Sequence, residues 1–290
     1  MTIIKELHSK IDRPIKVLQY GEGNFLRAFV DAMIDTLNEK TGFNGNIAII
    51  KPIQYGSLDA LRNQGNVYSV LLRSASESEV KIVRSVQDCF GAYEDYEQYA
   101  KLAENPDLRF VFSNTTEAGI TFDEADLYSL VPPKSFPGKL TKFLHERWLF
   151  FKGDPSKGLA IIPCELIDDN GGALLDCVKR YASLWKLEEG FLEWIQSSCV
   201  FASTLVDRIV TGFPSTEKEA VFKELGFEDN CLVTGEKFAL WVIEAKPGLD
   251  QELPFAKAGL PVIFTDDLKM YKQRKVRVLN GAHTGFALLS

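Results

Sequence analysis

The chain has 290 residues, 46% of them apolar, with 40 acidic and 33 basic side chains and a formal charge of −7. That size allows one large domain or two smaller ones with a sizeable core, and the acidic balance argues against nucleic acid and anionic membranes as partners. No apolar run reaches eighteen residues and the charged N-terminus has no signal-peptide apolar core, so neither a membrane span nor a secretory leader is expected, and a cytoplasmic protein is.

Residues 15–20 (Ile-Lys-Val-Leu-Gln-Tyr) read as a strand, followed by the turn Gly21-Glu22-Gly23 and a helix over 24–38. Phe25, Phe29, Val30, Met33, Ile34 and Leu37 recur at helical spacing and form its buried stripe. Residues 46–50 (Asn-Ile-Ala-Ile-Ile) form a second strand, nearly all apolar, as a strand covered on both faces should be. A β-turn-α-β unit therefore occupies the first fifty residues. Segments 68–73 and 80–86 read as strands that could pair as an inserted hairpin, and 94–103 reads as a helix. Strands are expected at 109–112 and 159–163, with extended chain at 201–206 and 238–245. Helices are expected at 172–184, 188–198, 216–225 and from 268 onward. Pro132-Pro-Lys-Ser-Phe-Pro137 reads as a loop, and no repeat is evident. Strands alternating with helices predict an α/β class, a Rossmann-like doubly wound fold with a mainly parallel sheet. A boundary near 265–267 divides it into residues 1–266, the dinucleotide-binding domain, and 267–290, the start of a helical C-terminal domain.

The turn after the first strand is where a dinucleotide site needs bare backbone and a helix N-terminus aimed at a pyrophosphate. Tyr20, Gly21, Gly23, Asn24 and Phe25 are accordingly the first candidates for cofactor binding. The pattern is GxGxxL, and Leu26 in place of a third glycine implies a looser or differently angled helix. The second strand ends in Lys51 where an acid would grip ribose hydroxyls. Lys51 either meets a 2′-phosphate, lies along adenine, or is simply solvated or packed. Ser113-Asn-Thr-Thr-Glu-Ala-Gly119 ends a buried strand and suits the crevice for a nicotinamide ribose, giving Asn114, Thr115 and Glu117 as candidates; an ordinary capped turn is the alternative. Asp169 and Asn170 read as helix caps, and Asp207-Arg208 as an ion pair or a site element. Five scattered cysteines without a CxxC suggest buried free thiols, and only three histidines make a histidine metal site improbable, so no metal is expected.

The last segment holds Lys275, Asn280 and His283. At about 100° per residue they fall at 0°, about 140° and about 80°, within one broad helical face. An amine, an amide and an imidazole there would combine proton transfer with carbonyl polarisation. The surrounding Lys269, Lys272, Arg274 and Arg277 allow a solvated basic face instead, but Asn280-Gly281 weakens a helix and asks for a reason.

Taken together, Gly21-Glu-Gly-Asn-Phe-Leu-Arg-Ala28, Val206-Asp-Arg-Ile209, Leu240-Trp-Val-Ile-Glu244 and the Lys275/Asn280/His283 spacing resemble the mannitol dehydrogenase family of polyol-specific long-chain dehydrogenases. The resemblance runs from residue 15 to 290. The phrases 19–29 and 113–120 are most like the branch that acts on tagaturonate; fructuronate and mannitol remain alternatives. It implies a metal-independent hydride transfer between NAD and a small sugar-acid substrate. Lys275 would exchange the proton, Asn280 hydrogen-bond the oxyanion, His283 hold substrate hydroxyls or orient the lysine, and Asp207 tune the field. Arg27 or Arg208 would meet the substrate carboxylate. The mannitol enzymes carry an asparagine where this chain has Leu166, so Asn170 or another donor is expected to contribute. The resemblance also implies a longer protein with a helical C-terminal domain, and the apolar Phe286-Ala-Leu-Leu289 suggests a truncated chain. A dinucleotide-binding module without turnover is the competing reading.

Overall fold

The computed structural model describes residues 2–116 and 118–274. Its strands are β1 (Ile15–Tyr20), β2 (Asn46–Lys51), β3 (Tyr68–Arg73), β4 (Ser78–Val83), β5 (Val86–Gly91), β6 (Phe110–Ser113), β7 (Ala160–Pro163), β8 (Val200–Phe201), β9 (Ser203–Asp207), β10 (Val210–Gly212), β11 (Val233–Glu236), β12 (Leu240–Glu244) and β13 (Val262–Thr265). Six of them form one sheet in the order β5-β2-β1-β6-β7-β8, every neighbour parallel. The chain builds outward from β1 through β2 to β5, then returns to the other side of β1 with β6, β7 and β8. That reversal places the topological switch point, the crevice where such sheets bind ligands, between the C-terminal ends of β1 and β6. The expected doubly wound parallel fold is thus observed.

The apolar runs have the reason expected of them. Alternate residues point to opposite faces, and both faces are covered. Val17, Ile47, Ile49, Phe110, Phe112 and Ile162 join one core, while Leu18, Ala48, Ile50, Val111 and Ile161 join the other. The first core lies under a long helix made of Asn24–Leu26, a π turn Arg27–Asp31 and Ala32–Lys40. The second lies under the helices Phe136–Phe150, Asn170–Leu184 and Glu189–Ser198. Burying each Phe or Ile in these layers contributes about 1.5–3 kcal/mol.

Two smaller sheets flank the first core. β3 and β4 form the anticipated hairpin, inserted between β2 and β5, and join β11 and β10. β9, β12 and β13 form a third sheet. The expected single extended segment 201–206 is divided. β8 ends the large sheet and β9 enters the third, so one stretch of chain ties two sheets together. Sequence reading missed the helix Phe136–Phe150, placed only a proline-rich loop at its start, and merged Val86 into the hairpin strand. All five cysteines are free thiols, and all but the half-buried Cys199 are buried. No described helix is long and apolar enough to cross a membrane.

Candidate functional site

The turn after β1 closes tightly against its neighbours. Gly21 has φ +119°, a region that side chains rarely adopt, and its N–H donates to Ile50 O at 2.9 Å. Gly23 caps the long helix with extended backbone. No side chain caps the helix there, and a Cβ on Gly23 would meet nothing within 4 Å. The helix start is thus left without a side-chain cap beside an exposed Gly23, the arrangement that favours a phosphate. Leu26 is buried, and the π turn follows it directly, so the helix departs from a uniform α-helix.

Several predicted residues are turned to other work. The Tyr20 side chain is fully buried beneath the opposite core, its hydroxyl 2.7 Å from the Tyr99 hydroxyl, so it does not line the turn. Lys51 is only 2% exposed. Its ammonium donates to Glu94 Oε1 at 2.6 Å and to the carbonyls of Ile53 and Tyr55 at 3.1 and 3.3 Å. A solvated Lys51 is thereby corrected, and a free cation awaiting a phosphate is not what this geometry presents. Arg27 donates to Glu22 O, Cys231 O and Asn24 Oδ1 at 3.1, 2.5 and 2.7 Å, fastening the turn to the sheet that holds β11. Asn24 stays exposed beside the turn.

Beyond the switch point, the end of β6 is organised by a residue that sequence reading did not single out. The Glu165 carboxylate is buried just past β7. It accepts from Ser113 Oγ, from Thr115 Oγ1 and from Thr115 N, each at 3.0 Å. Burial raises its pKa, and these donors pull it back in part. The signal was available only as adjacency: in a parallel sheet the ends of β6 and β7 lie side by side, placing Ser113–Thr115 opposite Glu165. Thr115 is thus engaged by Glu165. Asn114 N donates to Tyr20 O at 3.1 Å and its side chain to Cys164 O at 2.9 Å, so it spans the ends of three strands. Thr116 follows with φ +88°, a strained value for a β-branched residue of the kind that gathers at sites. Glu117 lies outside the described residues.

Asn114 and Thr116, with Phe25, Leu166, Val206, Asp207 and Arg208, line a cleft of about 380 Å³ at the C-terminal edge of the sheet. Four predicted residues, Phe25, Asn114, Asp207 and Arg208, are therefore brought to one place from positions far apart in the chain. A second hollow of about 390 Å³ shares Leu166 and Val206 and reaches Lys272. Leu166 is 61% exposed at the junction. Arg208 passes its guanidinium inward, donating to Ala28 O at 2.6 Å, Phe238 O at 3.2 Å and Lys237 O at 3.3 Å. Asn170 is not available as a carbonyl donor, contrary to expectation. It is fully buried, its amide donating to Glu165 O at 2.9 Å and Pro163 O at 3.2 Å. Its oxygen accepts from Gly171 N and Thr204 N at 2.9 and 2.8 Å. Asp169 adopts left-handed backbone and accepts from Ser203 Oγ, and makes no side-chain cap on the helix.

Lys275, Asn280 and His283 lie outside the described residues. The helix Lys269–Arg274 that leads to them is anchored beside the second hollow by Lys272 and Asp168 at 3.2 Å. The preceding Leu268 N donates to Glu244 Oε2 at 2.7 Å. Among the described residues, no group of three or more His, Cys, Asp or Glu is placed to hold a metal.

The model of the mannitol dehydrogenase Rossmann domain matches residues 15–257. The altronate oxidoreductase of Bacillus subtilis is 47% identical over 275 residues, 93% of this chain and 57% of its own length. That of Yersinia enterocolitica is 49% identical over 276 residues with the same coverages. A solved Pseudomonas fluorescens mannitol 2-dehydrogenase, in ternary complex with NAD and D-mannitol, shares the fold with a TM-score of 0.77. It is 22% identical and is matched over 94% of this chain and 57% of that one. The chain spans little more than half the length of the relatives it matches.

Proposed function

This chain belongs to the mannitol dehydrogenase family, and from that premise we propose that it is the dinucleotide-binding part of an NAD-dependent oxidoreductase that interconverts tagaturonate and altronate. The observation that carries the substrate is the 47–49% identity to altronate oxidoreductases across 93% of the chain. The turn fits a dinucleotide: a Gly21 backbone that leaves no room for a side chain, an open face over Gly23, and an uncapped helix start beyond. Gly23 and Asn24 would hold the pyrophosphate through main-chain N–H groups, with Gly21 supplying the bare backbone of the turn. Asn114 and the chain to Thr116 would hold the nicotinamide ribose at the switch point. When bound, the cofactor supplies or accepts the hydride.

The substrate carbonyl would then lie in the cleft bounded by Phe25, Leu166 and Asp207. In reduction the Lys275 ammonium donates its proton to the developing alkoxide oxygen, Asn280 hydrogen-bonds that oxygen, and His283 orients the lysine or holds substrate hydroxyls. Oxidation of NADH with tagaturonate, fructuronate or fructose tests the reading. A preference for tagaturonate supports it, and oxidation with fructuronate or fructose but not with tagaturonate rejects the substrate.

The glycine turn and uncapped helix start also fit a second reading, dinucleotide binding without turnover. An NADH fluorescence titration run beside the assay separates the two, since binding without oxidation of any of the three pairs supports the second.

A further inference from the structure

Dinucleotide folds of this order ordinarily place an acid at the end of the second strand, where it grips the ribose hydroxyls of NAD and repels the 2′-phosphate of NADP. Here that strand ends in a lysine, which read alone invites the phosphate. The structure removes the invitation. An ammonium has three N–H donors, and those of Lys51 are directed at Glu94 Oε1, Ile53 O and Tyr55 O. The side chain is almost wholly buried while Glu94 is 49% exposed, so it is the carboxylate that faces outward.

Glu94 reaches this point from beyond the end of β5, the strand that pairs with β2 through Lys51 and Gly91. Its carboxylate lies over Gly91, where a Cβ would collide with it. A bare residue at the end of β5 is therefore what allows an acid to stand over the end of β2. Glu22, in the glycine turn itself, is the second carboxylate nearby. It lies two residues past the end of β1, which pairs with β2 through Tyr20 and Ile50, so it stands at the same strand ends as Lys51. Among the described residues, two further cations near these strand ends are engaged. Arg27 holds Glu22 O, Cys231 O and Asn24, and Arg62 pairs with Asp95 at 2.5 Å.

Resting on the dinucleotide reading above, we propose that Glu94 supplies from β5 the ribose-reading acid that β2 lacks, and that with Glu22 it selects a 2′-hydroxyl over a 2′-phosphate. Lys51 is a positioning residue that holds the Glu94 carboxylate at the strand end.

Fluorescence titration of the purified chain with NADH and with NADPH tests this without requiring turnover. The wild type is expected to bind NADH more tightly. Glu94→Gln keeps the shape and removes the charge, and is expected to shrink the NADH-over-NADPH preference roughly tenfold or more, chiefly by improving NADPH binding. Glu22→Gln is expected to act in the same direction and less strongly. Lys51→Met is expected not to weaken NADPH relative to NADH; a selective loss of NADPH would identify Lys51 as the phosphate partner and overturn the proposal. Unchanged discrimination in both glutamine variants overturns it while leaving the dinucleotide reading intact. A wild type that binds neither cofactor removes that reading and the proposal together.

Discussion

A Cβ on Gly21 would stand 3.1 Å from the main-chain oxygen of Asn114 and 3.2 Å from Leu26 Cδ1. The two halves of the doubly wound sheet thus meet at a backbone contact, with Asn114 N also donating to Tyr20 O. Gly21→Ala adds left-handed strain to that crowding. Its expected cost is about 1–3 kcal/mol of stability, with a larger proportional loss of NADH affinity. Denaturant unfolding and NADH titration on the same variant check both, and an unperturbed affinity would separate this turn from cofactor binding.

Asp31 lies fully buried at the end of the π turn, accepting from the Tyr68 hydroxyl at 2.7 Å. Burial lifts its pKa to about 7 against the pull of Tyr68, Arg27 and Gln19. A raised folded-state value means the neutral form stabilises the fold. That contribution is complete below the unfolded value near 4 and is lost as pH rises through about 7. Unfolding free energy is therefore expected to fall between about pH 4 and 7 and to level off above. Asp31→Asn should flatten that decline and be the more stable protein at pH 8. A wild-type curve without this slope would contradict the assignment.

Asn170 links Pro163, Glu165, Gly171 and Thr204 through one buried amide. Asn170→Ala leaves several main-chain groups without partners and is expected to cost about 2–4 kcal/mol. The melting temperature reports this directly. Preserved stability would mean that the network re-forms without it.

For the proton-transfer role proposed for Lys275, Lys275→Ala is expected to lower kcat by about 10²–10⁴-fold in a protein that turns over tagaturonate, with NADH affinity retained. Single-turnover NADH oxidation is the measurement. Intact activity would reject the role.

The helix Phe136–Phe150 shows why part of the fold was hidden in the sequence. Its buried face carries Lys139, Lys142, His145 and Arg147, which read as solvent-facing residues and blur the apolar stripe. Each reaches a partner that is distant or lies in an irregular segment. Lys142 donates to Tyr128 O and Leu130 O, and Arg147 donates to the carbonyls of Lys157, Ala103, Asn105 and Leu108. Periodicity registers apolar side chains and is blind to cations whose charge is met by backbone oxygens.

What the sequence determined by itself is what depends on local period and local turn chemistry. The apolar run of β2 announced a strand covered on both faces, and β1, β6 and β7 were legible as strands. Gly21 and Gly23 between strand and helix announced the tight turn that follows β1, and the ordered blocks from residue 15 onward announced the family. What only the tertiary structure decided is where polar side chains point once strands lie side by side. Lys51 meets Glu94 across 43 positions, Ser113 meets Glu165 across 52, and Asn170 meets Thr204 across 34. Parallel strands need long crossovers, so partners at their ends are always distant in sequence. Their pairing follows from sheet order, which no local pattern encodes.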